Sequence, residues 1–235
     1  MGKYCKIMGK IGVLTITYRD SRFIEDCIKQ FDGIVDKHLF LVCDAPWHGE
    51  KEPMDETIDI LERYGKEFIV SDWDSEAQMR NYGVSQLRNM DWILTVDADE
   101  RYSEESIALL KDFLETAPLP AYGIGTIYTY WKQPNIRIEP RESGGLIVAT
   151  KPRVVFTDKR CIDSQWDFLP PEIVMDHLSY VRTDEEMLRK IKTFEHQHEI
   201  VPNWYEEKWL KWTPEMENIH PVNPSSFKKA IYVES

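Results

Sequence analysis

Two aspartates, Asp97 and Asp99, follow an apolar run of sequence DWILTV and are separated by one alanine. Carboxylates at alternate positions just past a strand converge once the chain turns. Hard oxygen donors of this kind suit Mg²⁺ or Mn²⁺, which leave coordination places for substrate phosphates. A D-x-D pair alone reads equally as a solvated acidic loop or as the approach to a helix capped by Ser103. Its position at the carboxyl end of a buried strand, where open α/β sheets bind ligands, favours the cation. Upstream, residues 75–89 read as a helix whose apolar stripe runs through Ala77, Val84 and Leu87, and Arg80 and Asn81 fall on that same stripe. Burying such groups without partners costs several kcal/mol, so a loop, a ligand or each other must satisfy them. Gly83 inside the helix costs about 1 kcal/mol relative to alanine and points to a close backbone approach. Two earlier strands also end in polar residues, Thr17-Tyr18-Arg19-Asp20 and Asp44. Tyr18 can stack on a base and Asp44 can accept from a base N–H; taken singly, each is equally a cap or a turn residue.

The elements that position these residues alternate. Ile11–Thr17 and KHLFLVC (37–43) are nearly continuous apolar runs, as in strands covered on both faces. Phe23, Ile24, Cys27, Ile28 and Phe31 recur at helical spacing behind a cap at Asp20 or Ser21. A helix with Ile58, Leu61 and Tyr64, a short strand at 67–70 and a capping box of Ser75 with Gln78 follow, and a further helix carries Ile107, Leu110 and Leu114. Strands separated by helices argue for βαβ units and a parallel sheet. Beyond residue 118 the pattern changes: 121–157 is β-rich, 158–176 reads as irregular, and Thr183 with Glu186 opens another helix. The tail from Pro202, rich in Trp and Pro, is expected to wrap the body. The expected division is 1–118 and 119–235, two halves of one compact unit.

The stretch from Gly12 to Glu100 resembles the family 2 glycosyltransferases of the GT-A fold. Its most specific part is Ala77-Gln-Met-Arg80-Asn81-Tyr-Gly83, similar to an A-x-x-R-N-x-G helix, followed by the hydrophobic strand and D-x-D. The resemblance implies a Rossmann-like nucleotide-diphospho-sugar transferase with a mixed, mainly parallel sheet flanked by helices. The first half would then hold the nucleotide sugar, and a β-rich and helical second half would hold the acceptor. It implies that Thr17 and Tyr18 border the nucleobase, that Asp44 reads its N–H edge and that Arg80 approaches base or phosphates. Asp97 would face the ribose or the metal, and Asp99 would bind Mn²⁺ or Mg²⁺ at the diphosphate of a donor of UDP type. Where many relatives have Pro-x-Tyr-Asn, this sequence has Thr-Tyr-Arg.

Family 2 members generally invert the anomeric centre, which requires a carboxylate base for the acceptor hydroxyl. Asp163, Asp167 and Glu172 are the candidates, Asp167 first because Trp166-Asp167 is nearest to a His-Glu or Glu-Asp pair of relatives, and Glu172 second. His177-Leu-Ser-Tyr resembles the H-x-S-Y element that follows in relatives, and His177 can complete the metal site or bind a phosphate; His220 is a second metal candidate. His196 and His198 read as structural, at a helix end that favours cations.

A net charge of −12 disfavours a broad nucleic-acid footprint. The expected acceptor is therefore a glycan, a lipid-linked sugar or another hydroxyl compound, with modified-base DNA disfavoured. Cys5, Cys27, Cys43 and Cys161 show no C-x-x-C spacing, and Cys27 and Cys43 read as small core residues. The first twelve residues lack a continuous apolar run, Lys6 breaks a myristoylation pattern, and no stretch approaches the roughly 20 apolar residues of a membrane span. A cytoplasmic location is expected. Two other activities stand beside transfer: binding of a sugar nucleotide without transfer, and nucleotidyl transfer, for which TYRDSRF lacks the usual Gly-rich loop. A phosphatase with Asp97 as nucleophile is a third, with D-x-D on an unexpectedly late strand.

Overall fold

The computed structural model describes residues 9–233, so Cys5 and most of the opening segment lie outside it. In chain order the elements of the first half are β1 (Ile11–Thr17), α1 (Ser21–Lys29), β2 (Lys37–Cys43), α2 (Thr57–Arg63), β3 (Glu67–Ser71), α3 (Glu76–Gln86), β4 (Trp92–Thr95), β5 (Glu100–Arg101) and α4 (Glu104–Leu114). Then come β6 (Ala121–Ile124), β7 (Ile127–Trp131), β8 (Gln133–Glu139), β9 (Leu146–Thr150), β10 (Phe156–Asp158), β11 (Cys161–Ile162), β12 (Trp166–Phe168), β13 (Met175–Tyr180), α5 (Asp184–Thr193) and β14 (Lys229–Tyr232).

Period-two alternation explains why the first strands are apolar throughout. On β2, Leu39, Leu41 and Cys43 pack with Met79 and Val84 of α3, while Phe40 and Val42 pack with Phe23 and Ile28 of α1 and Leu61 of α2 on the other face. The βα units thus stand where the sequence places them, and β1 pairs in parallel with both β2 and β4, as β2 does with β3. The central sheet has seven strands in the order β12-β6-β9-β4-β1-β2-β3. β9 runs against β4 and β6, and β12 follows β6 in parallel. This is the mixed, mainly parallel sheet flanked by helices that the GT-A resemblance implies. Gly83 allows α3 its approach to β1, since a Cβ there would stand 2.3 Å from Leu14 Cδ1.

Three helix starts show how caps are shared with other duties. Thr183 and Glu186 close a complete capping box on α5. At α3 the box is half-made: Ser75 Oγ accepts from Gln78 N, but Gln78 Oε1 accepts from Asp74 N. At α1 the Asp20 side chain caps nothing, because it turns toward the cleft described below.

Beyond residue 118 the structure is more strand-rich than its sequence. The run 122–131 splits at Gly125: β6 joins the central sheet, while β7 joins a five-stranded sheet of order β14-β8-β7-β13-β5. The segment 158–176, read as irregular, supplies β11, β12 and the start of β13. All three residues of β12 are exposed, so no burial pattern marks it in the sequence. Trp131, Trp204 and Trp209 share one buried cluster, and β14 pairs with β8, so the tail is built into the second sheet. The soft boundary at 118 falls between α4 and β6, and β6, β9 and β12 complete a sheet begun before it. Among the described residues no helix is long and apolar enough to cross a membrane.

Candidate active site

The carboxyl ends of β1, β2 and β4 open onto a cleft of about 350 Å³ lined by Thr17, Tyr18, Asp20, Asp97 and Asp99, with Arg182 and Lys190 facing them. A second cavity of about 350 Å³ shares Glu76, Asp97, Asp99 and Lys190 with it and adds His177, Glu195 and His220. The two aspartates of D-x-D therefore stand at the seam between two cavities.

Asp97 is enclosed by arginine. Arg80 Nη2 reaches its two oxygens at 3.0 and 3.2 Å, and Arg160 Nη2 lies 3.2 Å from Oδ2. Arg80 also donates Nε and Nη2 to Glu76 Oε1, one helical turn earlier, at 2.9 and 2.6 Å. Arg160 donates to Glu100 Oε2 at 2.8 Å, and Glu100 Oε2 accepts from Asp97 N at 3.0 Å. Arg80 on the apolar stripe of α3 is thus paired within the protein through Nε and Nη2, its buried Nη1 has no hydrogen-bond partner, and it lines neither cavity. Burial pushes the Asp97 carboxyl up, but Arg160 and Arg80 outweigh it and hold the group below its ordinary value. Both Asp97 oxygens are thus paired with guanidiniums, while the carboxylate still lines both cavities.

Asp99 is arranged differently. Its Oδ2 accepts from Lys190 Nζ at 3.3 Å and from Arg182 Nη2 at 3.5 Å. Its Oδ1 faces His177 Nε2 across 4.0 Å. Burial again opposes ionisation, and Lys190, His177 and Arg182 together keep the carboxyl well below the usual range. The backbone bond from Leu178 N to Asp99 O, 2.8 Å, fixes β13 against this turn and so places His177. Asp20 accepts from Arg182 Nη2 at 3.1 Å and from Thr17 Oγ1 at 3.1 Å. Its carboxyl is raised, by burial first and by the neighbouring Asp99 charge. Burial and the Arg182 charge push Lys190 down against the pull of Asp99 and Asp20.

Thr17 and Tyr18 line the first cavity, and the buried Tyr18 hydroxyl has no hydrogen-bond partner. Asp44 does not: its neighbours Cys43 and Ala45 face the cleft, whereas its carboxylate pairs with Lys51. Asn81, the other polar residue on the α3 stripe, exchanges two bonds of 2.8 Å with the backbone of Phe156 and ties α3 to β10. The expected bases are not brought to the site. Asp167 is exposed on β12, with β6 and β9 between that strand and β4, and Asp163 and Glu172 lie in loops; none lines either cavity. His220 Nδ1 accepts from the backbone N–H groups of Val222 and Asn223 at 3.0 and 2.9 Å. Burial and the nearby His196 push His220 down to about 4. His196 itself pairs with Glu199, and His198 packs against His48.

Sequence reasoning missed Arg160 altogether, because it lies in a stretch without periodicity. It also did not single out Lys190, and read Asp20 only as one of two possible caps. Among the described residues no three His, Cys, Asp or Glu side chains converge on one point as a cation cage. Asp99 Oδ1 and His177 Nε2 remain, 4.0 Å apart, close to twice a typical metal–ligand bond of about 2.1 Å. That separation would admit one cation between the two donors, with its remaining places left to other oxygen donors.

No family model matches the chain. Over 108 residues, 46% of its length, the chain is 32% identical to a protein of Rickettsia felis named an uncharacterized glycosyltransferase. That stretch is similar to glycosyltransferases. A counterpart in Rickettsia prowazekii is 30% identical over 108 residues, and the chain spans 34% and 32% of the lengths of these two relatives. Among solved structures, a glucosyl-3-phosphoglycerate synthase of Mycobacterium tuberculosis in complex with Mn²⁺, UDP and glucosyl-3-phosphoglycerate aligns over 76% of this chain and 75% of its own. The identity is 12% and the TM-score 0.47. A mannosyl-3-phosphoglycerate synthase of Rubrobacter xylanophilus aligns over 54% and 41%, at 13% identity and TM-score 0.38.

Proposed function

We propose that the protein is a glycosyltransferase that moves a hexosyl or pentosyl group from a UDP-type nucleotide sugar to an acceptor hydroxyl, inverting the anomeric centre. The observation that carries this reading is the position of Asp99, whose Oδ1 faces His177 while Lys190 and Arg182 hold Oδ2, at the seam of two cavities. A two-substrate transfer needs a donor chamber and an acceptor chamber meeting at the scissile bond. The cleft above β1 and β2 would hold the nucleotide, with Thr17 and Tyr18 beside the base and the unpartnered Tyr18 hydroxyl as one polar contact. The cavity around His177 and Tyr180 would hold the acceptor, so residues 1–118 serve mainly the donor and 119–235 mainly the acceptor.

Asp99 and His177 would hold a divalent cation, Mn²⁺ or Mg²⁺. Such an ion supplies positive charge where the departing diphosphate gathers negative charge. Arg182 and Lys190 add fixed cations on the same side, and burial strengthens their effect on a developing anion. The similarity to proteins named glycosyltransferases supports the same reading. The test is hydrolysis of a donor panel (UDP-glucose, UDP-galactose, UDP-N-acetylglucosamine and GDP-mannose) with Mn²⁺ present. Slow release of UDP from at least one donor is expected. A protein that binds UDP and hydrolyses none of them is a binding protein, and one that cleaves simple phosphate esters instead is a phosphatase.

A further inference from the structure

With Asp167 and Glu172 away from both cavities, the acceptor base must come from elsewhere. Four carboxylates line the second cavity: Glu76, Asp97, Asp99 and Glu195. Three are committed to cations. Glu76 Oε1 accepts two bonds from Arg80, Asp97 is held by Arg80 and Arg160, and Asp99 by Lys190 and Arg182. A carboxylate so paired is a poor proton acceptor, because the bound cations stabilise the charged form it would have to leave. Glu195 is the exception. Its Oε2 is buried without a hydrogen-bond partner, and its nearest cation, Lys159 Nζ, stands 3.9 Å away, beyond hydrogen-bond reach. Glu195 lines the cavity, and its side chain as a whole is 28% exposed.

We propose that Glu195 is the general base of the transfer, an inference that rests on the glycosyltransferase reading of the cleft. It takes the proton of the acceptor hydroxyl. The acceptor oxygen then forms a bond to the anomeric carbon as the bond from that carbon to the diphosphate oxygen breaks, and the electron pair leaves with the nucleoside diphosphate. The backbone is built to hold Glu195 there. Its carbonyl oxygen and His48 Nε2 lie 3.2 Å apart, the Thr193 carbonyl accepts from His48 N at 3.3 Å, and a Cβ at Gly49 would stand 3.0 Å from the Lys192 carbonyl oxygen. The charged and titratable groups around the carboxyl are Glu76 of α3, Asp158 and Lys159 of the β10–β11 turn, and His196 beside it. Burial, followed by the Glu76 charge, raises its pKa, the direction that suits a base working near neutrality.

The test compares the native protein with Glu195→Gln and Glu195→Asp, using the same donor panel with Mn²⁺ and water as acceptor, alongside the UDP-induced rise in Tm. Glu195→Gln should keep the UDP shift and lose hydrolysis by about 100-fold or more. Its residual rate should lack the rise with pH that the native enzyme shows through one ionisation. Glu195→Asp should recover part of the rate. Undiminished hydrolysis in Glu195→Gln overturns the proposal. So does loss of the UDP shift together with the rate, which would make Glu195 structural, and so does a native protein that binds UDP but hydrolyses no donor. A native protein with no UDP shift at all removes the nucleotide reading of the cleft, and this inference with it.

Discussion

Asp97 and Asp99 stand two residues apart on one turn, yet their surroundings differ in kind. Asp97 is the centre of an arginine cage whose members come from α3 and from the turn at Arg160, both side chains at most 5% exposed. Asp99 has one oxygen held by Lys190 and Arg182 and the other turned to His177, at the meeting of two cavities. Both carboxylates line the two cavities, so the difference lies in their partners, and it teaches that the two acids of a D-x-D pair can be held in unlike surroundings. Here the first carboxylate joins α3, β4 and the second half of the chain, and the second meets Lys190, Arg182 and His177. Buried ion pairs of the first kind contribute little net stability but are costly to break, because the orphaned charge stays buried.

The largest effect that would break this contrast is on turnover. Asp99→Asn should lower donor hydrolysis by about 100- to 1000-fold, the range for removing one group that stabilises developing charge, and should also lower the Tm in a thermal melt, because Lys190 and Arg182 each lose a charged partner. Asp97→Ala should act chiefly on folding, read by urea unfolding. It should reduce the unfolding free energy by about 3 kcal/mol because Arg80 and Arg160 each lose a partner, while UDP binding persists at low temperature. Gly83→Ala sharpens the scaffold side. Its new methyl meets Leu14 at 2.3 Å and should cost about 1–3 kcal/mol by the same urea assay, without changing Mn²⁺ dependence.

Acid unfolding gives a smaller signal whose sign can be worked out. The Asp97 and Asp99 carboxyls titrate below their ordinary values in the folded chain, so as pH falls the unfolded chain takes up the protons first. Their contribution is complete above about pH 4 and is lost as pH drops through the folded values. Asp20 is shifted the other way and opposes that loss. Asp97→Asn should therefore flatten the stability–pH curve below pH 4 in calorimetry. The smallest expected effect belongs to Asp167→Asn, an exposed edge-strand change that should leave donor hydrolysis within about twofold of native.

How much of this could be read in the sequence depended on burial periodicity. The alternating faces of β2, the stripes of α1 and α3 and the place of D-x-D after β4 all carry a regular pattern, and each stands where that pattern puts it. Arg80 and Asn81 were legible as polar residues needing partners, but not which partners, since Asp97 and the Phe156 backbone come from elements distant in the chain. β12 left no trace because all three of its residues are exposed, so no burial alternation marks them, and the expected base at Asp167 went with it. Arg160, Lys190 and Glu195 sit in a turn, on a polar helix face and past a helix end, where neither period nor cap singles out a residue. They are brought to the site only by tertiary packing.

The claim that Asp99, and not Asp97, is the ligand-facing carboxylate is tested most directly by calorimetric titration of UDP into the native protein, Asp99→Asn and Asp97→Asn, each with and without Mn²⁺. Mn²⁺ should strengthen UDP binding in the native protein and in Asp97→Asn, and that enhancement should vanish in Asp99→Asn. Equal Mn²⁺ enhancement in Asp99→Asn and the native protein, or its loss only in Asp97→Asn, would contradict the account.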